Sequence, residues 1–195
     1  MNIYFDTEFT GLRKDTDLIS IGCISEDGET FYGECNDYDK TKCDQWLKEN
    51  VISELIHDNH LDKWEEGVAD HQVYGTRKEV MYALKDWLQQ FDSIQLVSDV
   101  CYYDMVLFID LFGHADDIPK SIAPCCHDIN QDISAYFGIT EKEAFDLNRE
   151  NILEMLGVEI DSINKHNSLY DANIIRGIYQ NMILLVLQGP TPYKE

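Results

Sequence analysis

Asp6 and Glu8 stand two residues apart in a stretch, Asn2 to Phe9, that is otherwise mostly apolar. The composition of that stretch predicts a strand, and residues two apart on a strand project from the same face. The two acids would then be neighbours in an apolar element, where unpaired carboxylates repel each other and cost free energy. A divalent cation relieves both, and hard oxygen donors of this kind suit Mg²⁺ or Mn²⁺. The plainer alternative is a strand end with two solvated acids.

Three more residues could join them. Asp104 follows a predicted strand and precedes the apolar Val106, Leu107 and Phe108, which places it in the first turn of a helix, where the dipole favours a negative charge. Asp99 and Asp110 compete with it for the same role. His166 and Asp171 flank the start of the last predicted helix with the spacing His-x-x-x-x-Asp, the histidine on the loop and the acid in the first turn. Taken singly, each is an ordinary first-turn acid or loop histidine. Together they compose a site in which two cations clamp a scissile phosphate while a histidine of near-neutral pKa takes a proton from water.

The elements that must position these groups follow from pattern. Strands are expected over Asn2 to Phe9, Asp17 to Ser25, Thr30 to Cys35 and Ser93 to Val100, and Asp27-Gly28 marks the turn of a hairpin. The first three strands read as an antiparallel meander. Helical spacing runs from Lys42 to Ile56 and from Arg77 to Phe91, the second with Thr76 as N-cap. Further helices are expected over Tyr103 to Phe112 (stopped by Gly113), His127 to Phe137 (ended by Gly138), Thr140 to Leu156, and Ser168 to Leu187 with Ser168 as N-cap. This order of elements makes an α/β sheet with helices on its faces. No repeat or linker interrupts it, so residues 1–195 read as a single domain.

Composition narrows the function. The chain is 44% hydrophobic and 11% aromatic, which suits a folded domain, and it has no apolar run long enough to span a membrane. The N-terminus has no signal-peptide character, so a cytoplasmic location is expected. The six cysteines fit no disulfide framework, and Cys125-Cys126-His127 lacks the second ligand pair of a structural zinc site. With 37 acidic and 15 basic residues the net charge is −22, which argues against tight, sequence-independent duplex binding. A metal-dependent enzyme tolerates this, because bound cations invert the local charge.

Phe5-Asp6-Thr7-Glu8-Phe9-Thr10-Gly11-Leu12 closely resembles the first motif of the DEDDh 3′-5′ exonuclease superfamily, departing from it at Phe9. Tyr103-Asp104 resembles the second motif, and His166 to Asp171 the third. Within the superfamily the chain looks most like the mycobacterial-type 3′-5′ exoribonucleases, through Asp-Thr-Glu-Phe, Leu18-Ile19-Ser20-Ile21-Gly22 and the Trp46-Leu47-x-x-x-Val51 segment. The likeness covers most of 2–113 and then 166–180; residues 115–160 match nothing in it. The resemblance implies an RNase H-like fold with a five-stranded mixed sheet flanked by helices. It also implies a two-metal site (Mg²⁺, with Mn²⁺ able to substitute) in which Asp6, Glu8 and Asp171 contact one ion and Asp6 and Asp104 the other. His166 is then the general base, and Phe9, Thr10, Gly11, Leu12 and Tyr103 meet the terminal nucleotide. The second motif often has Asn four residues before its Asp; here that position is Val100.

The expected activity is release of nucleoside monophosphates from the 3′ end of single-stranded RNA, with DNA as the alternative substrate. A non-catalytic RNase H-like module presenting an acidic surface to a basic partner is the alternative from another class. Retention of mutually repelling carboxylates argues against it. A phosphatase with Asp6 as nucleophile is discounted, because such sites need Asp-x-Asp and Glu8 breaks that pattern. Arg13, Lys14, Lys165 and Arg176 are the nearest candidate phosphate contacts, and Phe9 and Tyr103 could stack on a base. Residues 115–160 are left with two open roles, a cap over the site or a homodimer contact.

Overall fold

The apolar run at the N-terminus forms strand β1 (Asn2–Phe9), at the centre of the sheet. The computed structural model describes residues 1–57, 69–158 and 166–188. Strand β2 (Leu18–Ser25) pairs antiparallel with β1, and β3 (Thr30–Cys35) antiparallel with β2, as the meander expected. Every residue of β2 is buried, which explains a strand without a polar face: it is covered on both sides.

Among the described residues the sheet has six strands, in the order β4-β3-β2-β1-β5-β6, which corrects the expected five. The unexpected β4 (His71–Gly75) is an edge strand parallel to β3, and its mostly exposed residues give no apolar alternation to read. Strand β5 (Gln95–Ser98) is parallel to β1 and shorter than expected. The two-residue β6 (His127–Asp128) takes the first positions of a stretch expected to be helical.

The helix expected over 42–56 is broken. Short 3₁₀ turns at Lys40–Lys42 and Ile52–Glu54 flank a six-residue helix, α1 (Gln45–Asn50). Asp44 sets its start by accepting the Leu47 N–H at 2.9 Å. Helix α2 (Arg77–Leu88) begins with Thr76 and Glu79 in a reciprocal capping box. Helix α3 (Cys101–Phe112) stops at Gly113, and α4 (Ile129–Phe137) at Gly138. The polar stretch from 140 to 156 resolves into α5 (Glu141–Asp146) and α6 (Arg149–Met155). The long α7 (Ser168–Gln188) is capped by Asn167, whose side-chain oxygen accepts the N–H groups of Leu169 and Tyr170 at 3.2 Å each; Ser168 is its first residue, not its cap.

Alternation along β1 divides the core. Ile3 and Phe5 pack with Val80, Leu84, Leu107 and Phe108 of α2 and α3 on one face. Tyr4 packs with Ile133, Ile152, Ile175 and Ile178 of α4, α6 and α7 on the other. No helix among the described residues is long and apolar enough to cross a membrane.

Helix α7 rests on bare backbone. Gly22 of β2 lies opposite Asp6 in the register, and a Cβ placed there would sit 2.2 Å from the Leu169 nitrogen and 2.3 Å from the Ser168 carbonyl carbon. One pleat away, the hydroxyls of Ser20 and Ser168 are 3.0 Å apart. Any side chain at Gly22 must lift the first turn of α7 from the sheet, because backbone cannot yield as a flexible side chain does. Gly22→Ala should therefore destabilise the protein by about 3 kcal/mol or more, read as a lowered midpoint in chemical denaturation.

Candidate active site

Asp6 and Glu8 project from the α7 face of β1. Thr7, between them, projects from the opposite face and holds Asp104 of α3: its N–H and hydroxyl donate to Asp104 Oδ1 at 3.2 and 2.6 Å. Ser98, the last residue of β5, donates its hydroxyl to Asp104 Oδ2. This is possible because β1 outruns β5: their ladder ends at Tyr4 and Val97, and the start of α3 occupies the space beyond. Thr7 and Ser98 were not singled out from sequence. The available signal was a polar residue at the buried end of each strand.

From α7, Asp171 reaches the same place. Glu8, His166 and Asp171 offer ligand atoms that all lie within 4.8 Å of one another. Asp6, His166 and Asp171 line one cleft of about 320 Å³, a size within the range of small-ligand sites. Four of the five residues read as the reactive group thus share the cleft or the ligand cluster, and the fifth, Asp104, is close enough for its charge to be felt at Asp6 and Glu8. His166 is fixed through its backbone N–H, which donates to Asp171 Oδ2 at 3.0 Å, and its ring meets the edge of Trp46 with centroids 5.0 Å apart.

Negative charge accumulates here. Burial, then the nearby charges of Asp104, Asp171, Glu8 and Asp99, hold the Asp6 carboxyl well above its usual range. Burial, then Asp171 and Asp104, does the same to Glu8. Burial pushes Asp104 up to about 7, although the hydrogen bonds from Ser98 and Thr7 pull the other way. The donor chemistry fits divalent cations: oxygen ligands, mutually repelling and removed from bulk water.

The two competing acids are otherwise engaged. Asp99 pairs with Arg149, and Asp110 is an exposed partner of Arg77.

Backbone strain marks the same site. Val100 and His166 are the non-glycine residues with positive φ among those described, at 57° and 63°. For a β-branched residue this left-handed conformation is an outlier costing on the order of 1–3 kcal/mol. Val100 forms the turn from β5 into α3 that delivers Asp104. Asn, which the motif resemblance leads one to expect there, tolerates this backbone better.

The residues read as nucleotide contacts line a second groove between the β1–β2 loop and α3, which includes Phe9, Gly11, Leu12 and Tyr103, joined by Tyr102 and Lys14. Gly11 adopts φ +138, open to glycine and rarely to other residues. Thr10 is a correction. It is fully buried, its hydroxyl accepts the Asp17 N–H at 2.9 Å, and its main chain is bonded to Asp17 and Arg13, so it braces the loop instead of facing the groove. Arg176 is another: it donates to the Glu26 carbonyl at the opposite end of β2. Arg13 ties the carbonyls of Thr10 and Lys42 together, while Lys165 lies outside the described residues.

No protein-family model matches the chain. Over 133 residues it is 26% identical to a 3′-5′ exoribonuclease of Mycobacterium tuberculosis, found in two strains, a match covering 67% of this chain and 73% of that protein. The solved nuclease domain of 3′hExo, a DEDDh family member bound to rAMP, has a TM-score of 0.65 at 14% identity, covering 96% of this chain and 92% of that one. The RNase domain of yeast Pop2 gives 0.62 at 14% identity, covering 98% and 79%. The fold is the RNase H-like fold of DEDDh nuclease domains. In sequence, the chain is similar to exoribonucleases that work from the 3′ end.

Two outcomes follow from the strain and the charge. Val100→Asn should stabilise the protein by about 1 kcal/mol in chemical denaturation, since it relieves an unfavourable φ without touching Asp104. A carboxyl whose folded pKa is raised favours the folded state at low pH, and that contribution disappears as pH rises through the folded value. For Asp104 this window runs from its usual 3.8 to about 7. Metal-free protein should therefore lose melting temperature as pH rises from 5 to 8. Mn²⁺ at a hundredfold excess over its Kd should restore about 2.7 kcal/mol at pH 8, and both effects should shrink in Asp6→Asn.

Proposed function

We propose that this chain is a metal-dependent 3′-5′ exoribonuclease that releases nucleoside monophosphates from the 3′ end of single-stranded RNA. The observation that carries the reading is that Asp6, His166 and Asp171 line one cleft, Glu8 joins His166 and Asp171 within reach of a single ion, and the charge of Asp104 on α3 is felt at both Asp6 and Glu8. Asp6, Glu8 and Asp171 would hold one divalent cation and Asp6 with Asp104 a second, Mg²⁺ being the natural ion and Mn²⁺ a substitute. When bound, the cations neutralise the scissile phosphate and make the attacking water more acidic.

The remaining work belongs to the protein. His166 accepts the proton of the attacking water; its loop, tethered to Asp171 through the backbone, carries the ring at the cleft. Thr7 and Ser98 keep the Asp104 carboxylate in one orientation. Phe9, Gly11, Leu12 and Tyr103 offer apolar and aromatic surface to the terminal nucleotide, which suits base stacking without sequence preference. The exoribonuclease likeness favours RNA over DNA, and a 2′-hydroxyl contact would enforce that choice.

A net charge of −22 limits backbone grip, so binding should be weak, salt-sensitive and suited to short single strands. We read the 195 residues as one domain acting in the cytoplasm.

The test is digestion of 5′-labelled RNA and DNA of one sequence with Mg²⁺, Mn²⁺ or chelator. A metal-dependent ladder shortening from the 3′ end, faster on RNA, is expected. Asp6→Asn should lower kcat by about a thousandfold or more and His166→Ala by a hundred- to ten-thousandfold. Internal cleavage, or equal activity with chelator, would refute the proposal.

A further inference from the structure

The segment between α3 and α7 has no counterpart in the motifs, yet it reaches the cleft through Arg149, the first residue of α6. Arg149 also shares that cleft with Asp99, which follows β5 directly and lines it beside Asp6, His166 and Asp171. The charge of Asp99 is felt at both Asp6 and Asp104. Unopposed, it would add a further carboxylate to the metal-binding group.

Arg149 meets it with both arms of a fork: Nε donates to Asp99 Oδ2 at 2.5 Å and Nη2 to Oδ1 at 2.8 Å. Nη2 also donates to Asn130 Oδ1 at 2.7 Å, and Nη1 to the carbonyls of Ala144 and Leu147 at 2.8 and 3.0 Å. A guanidinium has five N–H groups, so none is left for a phosphate. With side chains 15% and 22% exposed, the pair is too enclosed to be an ordinary surface ion pair.

The pairing extends further. Asn130 Nδ2 donates to Asp99 Oδ1 at 2.8 Å and Asp128 Oδ1 at 2.9 Å. Asp128 Oδ2 in turn accepts the N–H of Cys101, the first residue of α3, at 3.2 Å. One network therefore joins α6, α4 and the start of the helix that carries Asp104.

We infer that Arg149 is a positioning residue: its forked ion pair with Asp99 withholds that carboxylate from the metal-binding group and fixes the wall of the cleft. The inference rests on the nuclease reading above.

Calorimetric titration of metal-free protein with Mn²⁺ tests it by binding, independently of turnover. Asp99→Asn should weaken Mn²⁺ binding on the order of tenfold without abolishing it, because Asp99 is not a ligand but its loss leaves the Arg149 charge unopposed beside the site. Arg149→Met should tighten Mn²⁺ binding on the order of tenfold, as a liberated charge joins the group, while lowering kcat. Asp99→Asn in the Arg149→Met background should return the affinity to wild type, which a purely structural loss would not do. If Asp99→Asn abolishes Mn²⁺ binding, Asp99 is a ligand and the inference falls; unchanged or weaker binding in folded Arg149→Met also overturns it. Absence of Mn²⁺ binding by the wild-type protein would instead overturn the two-metal reading, and this inference with it.

Discussion

The site depends on one close approach, α7 lying directly on β2 at Gly22. That contact sets the height of Asp171 above the sheet. Gly22 is the cross-strand partner of Asp6, so the spot where the helix touches down is one strand away from the first acid. A helix docked through side chains would ride several ångströms higher, and interhelical or helix–sheet spacings of that kind would part Asp171 from Glu8. The Ser20–Ser168 contact and the Asn167 cap then fix where the helix begins, and with it the loop that carries His166.

The rest of the molecule holds charge and strain in place. Carboxylates that repel one another, a valine and a histidine in left-handed backbone, and a buried aspartate are each unfavourable alone. They persist because the two cores on either side of the sheet over-determine the positions of β1, α3 and α7. On the proposed function, cation binding would turn the repulsion into coordination. Unfavourable local terms at one spot, surrounded by consistent packing elsewhere, are the pattern expected of a functional centre.

The meander, Asp6, Glu8, Asp171 and His166 could be read from sequence because their signals are local: an apolar strand with two acids on one face, and a spacing across a helix start. Strand β4 could not, since an exposed edge strand carries no alternation, and β6 is too short for any periodicity. The 42–56 stretch misled because its apolar spacing is helical while the cap at Asp44 and the backbone at Val51 confine the helix to six residues. Thr7, Ser98 and Gly22 act across the chain, on Asp104 and α7, and their partners are far away in sequence. Thr10 misled for the opposite reason: a motif position does not reveal which way a hydroxyl points. Arg149 gave no sequence signal, since its role requires knowing that Asp99, fifty residues earlier, is its partner.

Strong acidity and a nucleic-acid substrate are compatible when grip is local. An enzyme that removes one nucleotide at a time needs affinity for the last few residues of a strand, not for a long stretch of backbone. On the proposed function, the same carboxylates that would repel RNA in the metal-free protein would become its anchoring point once cations sit between them and the phosphate. Away from that point the acidic surface opposes engagement of long or duplex regions, where many phosphates would face it unscreened. The charge that looks adverse in the composition would, on the proposed function, act as a selector for free 3′ ends.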